Sequence, residues 1–89
     1  MIQKKVFVKN KLGLHARASN KLVELTTKFS SDIFIEYNDK KVDAKSIMSV
    51  LLLAASKGSE LNLITNGDDE QEASNLIEKL FNNYFEENE

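Results

Sequence analysis

Ile33-Phe34-Ile35-Glu36-Tyr37-Asn38-Asp39-Lys40-Lys41-Val42-Asp43 is the stretch on which the fold turns. Ile33, Ile35 and Tyr37 alternate with Phe34 and Glu36, the period of a half-buried strand. Asn38-Asp39 is a two-residue turn signal, and Lys40 to Asp43, centred on Val42, is the returning hairpin strand. Upstream, Ile2, Lys4, Val6 and Val8 share one parity, which predicts a first strand over about residues 2–9. Gly13 punctuates the segment Asn10–Leu14. From Ala16 to about Phe29, Ala18, Leu22, Leu25 and Phe29 form the stripe of an amphipathic helix. Downstream, Ser46 and Gly58 are start and stop signals around an apolar helix, Ile47 to Ala55. Leu61, Leu63 and Thr65 alternate as a last strand. Asp69 and Glu72 have capping-box-like spacing before a helix with Ala73, Leu76, Ile77, Leu80 and Tyr84 on one face. Glu86 to Glu89 reads as a frayed acidic tail. The order β-α-β-β-α-β-α predicts an α+β open-faced sandwich, a four-stranded, mostly antiparallel sheet with three helices on one face.

The chain has 89 residues, 42% hydrophobic and 29% charged, which predicts one domain over residues 1–89 with a small core. There is no cysteine and one histidine. Disulfides, thiol nucleophiles and a conventional transition-metal site are therefore not expected. The longest apolar run, Val50 to Ala55, is far below the ~20 residues that cross a bilayer, so no membrane insertion is expected. Met1 to Lys5 lacks the apolar stretch of a secretory signal, and a cytoplasmic protein is expected. A net charge of −2 argues against nucleic acid as a partner. That total hides a split: residues 1–45 carry 10 Lys/Arg against 5 Asp/Glu, residues 46–89 carry 2 against 9. A positive field over the first half would steer an acidic partner.

The one histidine, His15, lies in Leu12-Gly13-Leu14-His15-Ala16-Arg17-Ala18-Ser19, between a loop glycine and a helix start. First-turn N–H groups have no helical acceptor, and the positive end of the helix dipole lies there too, so the place suits a dianion such as phosphate. The same field disfavours imidazolium and leaves a ring lone pair free for nucleophilic attack. Arg17 adds a cation with donors matched to phosphate oxygens. Together they suit a covalent phosphohistidine intermediate. A solvated loop histidine beside a surface arginine is the plainer alternative, and the residues alone leave both standing.

Leu12-Gly13-Leu14-His15-Ala16-Arg17 resembles the active-site signature of HPr, the histidine-containing phosphocarrier family of the phosphoenolpyruvate:sugar phosphotransferase system. Ala44-Lys45-Ser46-Ile47-Met48-Ser49-Val50 resembles that family's regulatory-serine region. Lys57-Gly58-Ser59-Glu60-Leu61 with Asn66-Gly67-Asp68-Asp69-Glu70-Gln71-Glu72-Ala73 resembles its last strand and helix entry. The resemblance spans about residues 2–85. It implies a carrier, not an enzyme, whose His15 takes a phosphoryl group on Nδ1 from phosphorylated enzyme I and passes it to IIA proteins or domains, for sugar transport or regulation. It implies backbone N–H donors from Ala16 and Arg17, the Arg17 side chain as electrostatic partner, no cofactor, and a monomer. It further implies phosphorylation of Ser46 by HPr kinase/phosphorylase. Where the family often has proline after the arginine, this chain has Ala18; alanine is an excellent helix former, so the turn is expected to survive.

Ser46 is also a plain helix cap, a hydroxyl worth about 0.5–2 kcal/mol. The helix after it is more apolar than one buried face requires. Ile47, Met48, Leu51 and Leu52 cannot all join Val50 and Leu53 against the sheet, which predicts an exposed docking patch. A basic rim of Arg17, Lys21 and Lys45 around it would receive acidic partners. Two alternatives from other classes are a ferredoxin-like RNA-binding or metal-carrying module and a small phosphatase using Arg17 as anion clamp. The acidic net charge and the absence of cysteine oppose the first. Turnover without donor and acceptor proteins would mark the second.

Overall fold

The computed structural model describes all of residues 1–89. Strand β1 (Ile2–Phe7) is followed by helix α1 (Ala16–Thr26), the hairpin β2 (Asp32–Tyr37) and β3 (Lys40–Asp43), helix α2 (Ile47–Leu52), strand β4 (Glu60–Asn66) and helix α3 (Glu70–Asn82). A short turn of 3-10 type, Tyr84–Glu86, ends the ordered elements. The sheet order is β1-β4-β2-β3, and every neighbouring pair is antiparallel. Asn38 and Asp39 both take positive φ, 51° and 64°, as the tight hairpin turn between right-twisted strands requires.

Strand parity sorts the residues. Val6, Ile33, Ile35, Leu61 and Leu63 lie on one sheet face, and the helices cover them. Lys4, on the same face, reaches its edge and donates from Nζ to Asn75 Oδ1 (3.3 Å) and Glu78 Oε1 (3.2 Å) of α3. Helices α1 and α2 run antiparallel. Thr26 Oγ1 donates to Ala44 O (2.8 Å) at one end, and Leu14 N–H donates to Ala55 O (2.9 Å) at the other.

Four sequence expectations need correction. Helix α2 stops at Leu52, not Ala55, because Leu53 and Ala54 N–H bond three residues back and Ala54 turns left-handed, φ 51°. That turn aims Ala55 O at the His15 loop. Asp69 makes no capping bond on α3; its carboxylate accepts from the backbone N–H of Ser30 and Ser31 and from the Ser31 hydroxyl, tying the loop before β2 to the end of β4. The inner face of α3 is Ala73, Ser74, Ile77 and Phe81, with Leu76 and Tyr84 about 40% exposed. Packing against the sheet selects the i, i+4 row of Ala73, Ile77 and Phe81 and turns Leu76 outward. Lastly, the C-terminal segment is not frayed. Phe85 is fully buried with its ring edge-to-face on Phe81, centroids 4.8 Å apart.

Candidate functional site: the start of helix α1

Gly13 makes the approach to α1 possible. Its φ is +71°, and a β-carbon there would lie 2.6 Å from Ala55 O and 2.9 Å from Ser56 Cα. Only glycine accepts both the left-handed backbone and that proximity. Leu14 then buries its side chain, and His15, with extended φ and ψ of −75° and −178°, becomes the N-cap of α1.

The two ring nitrogens of His15 have different partners. Nδ1 accepts the Arg17 backbone N–H at 3.3 Å. Nε2 lies 2.6 Å from Glu87 Oε2. An ionised carboxylate only accepts, so the proton of that bond resides on Nε2, and the Nδ1 lone pair faces the open N-terminus of α1. Burial pushes the Glu87 carboxyl up. Hydrogen bonds from Asn10 and His15 and the electrostatic attraction of the His15 ring and Arg17 outweigh this and leave it below the usual carboxylate range. The imidazole is about a quarter exposed, the Glu87 side chain about half as much.

Glu87 reaches the ring because the chain doubles back. Tyr84, Phe85 and Glu86 all adopt positive φ (58°, 52° and 64°), a conformation that costs non-glycine residues roughly 1–2 kcal/mol each. The anchors that hold it are the buried Phe85 ring, Lys21 Nζ donating to Phe85 O (3.0 Å), and Lys11 N–H donating to Glu89 O (3.0 Å). Asn10, fully buried, donates through Nδ2 to both Gly13 O (2.7 Å) and Glu87 Oε1 (3.0 Å), so one amide fixes the loop and the carboxylate together. Sequence reasoning missed Asn10 and Glu87. Phe81 and Phe85, four residues apart, were the available signal that the chain stays packed past Tyr84.

His15, Ala16, Arg17 and Lys21 line one open cleft with Leu12 and the C-terminal segment. The Arg17 side chain is exposed and makes no ion pair. Ser46 is elsewhere. It caps α2, accepting Ser49 N–H at 3.3 Å, beside the C-terminal end of α1. An 11-residue helix of about 1.5 Å per residue, roughly 16 Å, separates that end from His15. The basic rim read from the sequence is not assembled. Lys45 Nζ donates to Phe29 O (2.8 Å) at the far end of α1, and Lys21 is held by Phe85 O and Glu86. Of the apolar residues, Met48 and Leu52 are nearly 70% exposed, Ile47 is 38% exposed and Leu51 is half-buried. Leu12, 69% exposed beside His15, is an apolar contact surface that the sequence reading left out.

Comparison with known proteins agrees along the whole length. A family model described as the PTS HPr component phosphorylation site matches residues 2–83. The phosphocarrier protein HPr of Cupriavidus necator is 49% identical over 89 residues, all of both chains. The crystal structure of HPr-C-His from Thermoanaerobacter tengcongensis superposes with a TM-score of 0.96 at 42% identity, covering both chains fully. A second crystal structure from that organism, described as an HPr dimer, gives 0.79 at 42% identity over 98% of this chain and all of that one. With the sheet order, the capped histidine and these matches in agreement, the chain belongs to the HPr family of phosphocarrier proteins of the phosphotransferase system.

Proposed function

We propose that this chain, acting as one domain over residues 1–89, carries a phosphoryl group on Nδ1 of His15. It takes the group from phosphorylated enzyme I and hands it to IIA proteins or domains. The observation that carries the reading is the arrangement of the ring: Nε2 is occupied by Glu87, and Nδ1 faces a helix N-terminus whose Arg17 N–H already points at it. Once Nδ1 bears phosphorus, the Ala16 and Arg17 N–H groups and the Arg17 guanidinium lie on the side where the phosphate oxygens stand, each contact favouring negative charge. The chain supplies no catalysis of its own in this reading; it is a covalent intermediate between two larger proteins, in the cytoplasm and without a cofactor. Incubation with phosphoenolpyruvate and enzyme I should add about 80 Da, one phosphoryl group, in an acid-labile, base-stable bond. His15→Ala should abolish the adduct, and an equal adduct on that variant would refute the assignment.

Docking is assigned to Ile47, Met48, Leu51 and Leu52 of α2 together with Leu12, which shares its cleft with the free Arg17 cation, apolar surface and positive charge that fit a transient complex with acidic partners. Lys21 and Lys45 serve there only after leaving their present carbonyl acceptors. Ser46 phosphorylation by HPr kinase/phosphorylase belongs to the same reading. It adds about two negative charges next to Ile47 and Met48, and acts on partner docking, since His15 lies a helix length away. Equal transfer rates for wild type and Ser46→Asp would sink this regulation. The working form is a monomer, because one face must meet successive partners; sedimentation of the phosphorylated chain as a dimer would overturn that.

A further inference from the structure

Resting on the phosphocarrier reading, we propose that Glu87, held by Asn10, is a positioning residue for phosphoryl transfer at His15. It fixes the ring tautomer and balances the charge the ring gains when Nδ1 is phosphorylated. Three features of the fold converge on this carboxylate. It makes the shortest contact to the imidazole, 2.6 Å to Nε2. Its second oxygen is taken by Asn10 Nδ2, whose side chain is fully buried and also grips Gly13 O of the same loop. And it arrives through three successive left-handed residues, a conformation maintained only by tertiary anchors. Glu87 lies beyond residues 2–83, the part of the chain that the family model describes.

The chemistry needs such a group. A neutral imidazole has two tautomers, and only the one protonated at Nε2 has its lone pair on Nδ1. When that lone pair attacks the donor's phosphorus, the Nδ1–P bond forms and the donor–P bond breaks, its electron pair leaving with the donor. No proton leaves the ring: the Nε2 proton stays, and the ring becomes a cation facing the Glu87 carboxylate. In transfer onward, the Nδ1–P electron pair returns to the ring and restores the same neutral tautomer. Glu87 thus lowers the cost of charging the ring without exchanging a proton.

Two variants separate the components. Glu87→Gln keeps an oxygen to accept Nε2–H but removes the charge. Glu87→Ala removes both. With a charge-assisted bond about twice as strong as a neutral one, Glu87→Gln should take up phosphoryl from phosphorylated enzyme I about 5- to 10-fold more slowly. Its urea midpoint should fall slightly, because the amide turns a donor toward Asn10 Nδ2, while the chain stays fully folded without denaturant. In Glu87→Ala, ring ¹⁵N NMR of the neutral histidine should show Nδ1 and Nε2 shifts moving toward each other, as the Nε2-protonated tautomer loses its preference. Ring shifts in Glu87→Ala identical to wild type, or uptake by Glu87→Gln within twofold of wild type, would overturn the proposal. A wild-type chain that takes up no phosphoryl at all would instead defeat the carrier reading beneath it.

Discussion

Replacing Phe85 by alanine tests whether the chain beyond Tyr84 belongs to the folded core. Phe85 is fully buried, packs edge-to-face on Phe81, and occupies a left-handed turn. A buried phenylalanine takes roughly 150–200 Å² out of water, about 4–5 kcal/mol at ~25 cal/mol per Å². Residual burial in the unfolded chain trims this to about 3 kcal/mol, and the aromatic pair adds about 0.5–1.5 kcal/mol. Phe85→Ala should therefore destabilise by about 3.5–4.5 kcal/mol, within the ~3–5 typical of such truncations. That is a large part of the roughly 5–13 kcal/mol available to a chain of this length, and it should lower Tm by at least ~12 °C. Urea unfolding followed by circular dichroism, with the slope unchanged, gives the number. Tyr84→Ala is the matched control. It shares the left-handed backbone, so strain cancels, but Tyr84 is 40% exposed and its loss should stay under about 1 kcal/mol. A Phe85→Ala loss below about 1 kcal/mol, or one equal to the control, would refute the reasoning and return this segment to a solvated tail.

Gly13→Ala puts a β-carbon into the Ala55 carbonyl at a left-handed position; the conformational penalty of about 1–2 kcal/mol and a backbone clash of about 1–3 kcal/mol should appear as a matching loss in thermal unfolding. Ser46→Ala removes the cap on Ser49 N–H and should cost about 0.5–2 kcal/mol, measured by denaturant titration, with phosphoryl uptake unchanged. Met48→Asp alters a side chain that is 68% exposed, so stability should shift by no more than ~0.5 kcal/mol while affinity for enzyme I in titration calorimetry falls about tenfold. Asp69 titrates near 2 instead of 3.8, chiefly through the Ser31 hydroxyl and then the Ser30 N–H. Its stabilisation is therefore complete above the unfolded value of 3.8 and lost as pH falls toward 2. Asp69→Asn should be less stable at pH 7 and lose less on acidification across that window.

Legibility followed the range over which each feature is determined. Ile33, Ile35, Leu61 and Leu63 declare their face through an alternation internal to each strand, so both the strands and the buried side could be read. Gly13 before Leu14-His15 marks the entry of α1 for the same reason, since glycine and a cap act on adjacent residues. Asp69 was misread because its spacing to Glu72 satisfies a local rule, whereas the carboxylate is claimed by Ser30 and Ser31, more than thirty residues away. The basic rim failed similarly. Composition places Arg17, Lys21 and Lys45 in one basic half, but a helix length separates Lys45 from the other two, and Lys21 and Lys45 are engaged by backbone carbonyls. Glu87 shows the limit most sharply. Three glutamates among the last four residues are chemically alike, and only the Phe85 anchor decides which one meets His15.

The two longer helices handle their N-terminal charge in opposite ways, and the contrast bears on why the histidine is where it is. Helix α3 opens with Glu70 and Glu72, and Glu70 folds back to accept Gly67 N–H at 3.0 Å and to pair with the chain's amino terminus. Its first turn is supplied with anions from within. Helix α1 has no acidic residue in its first turn; its cap is an imidazole nitrogen, with a single long bond from Arg17 N–H. The nearest carboxylate, Glu87, approaches the far side of the ring and leaves the helix end uncompensated. A phosphoryl group on Nδ1 would supply there the negative charge that α3 provides for itself, so the transferred group completes the helix that binds it.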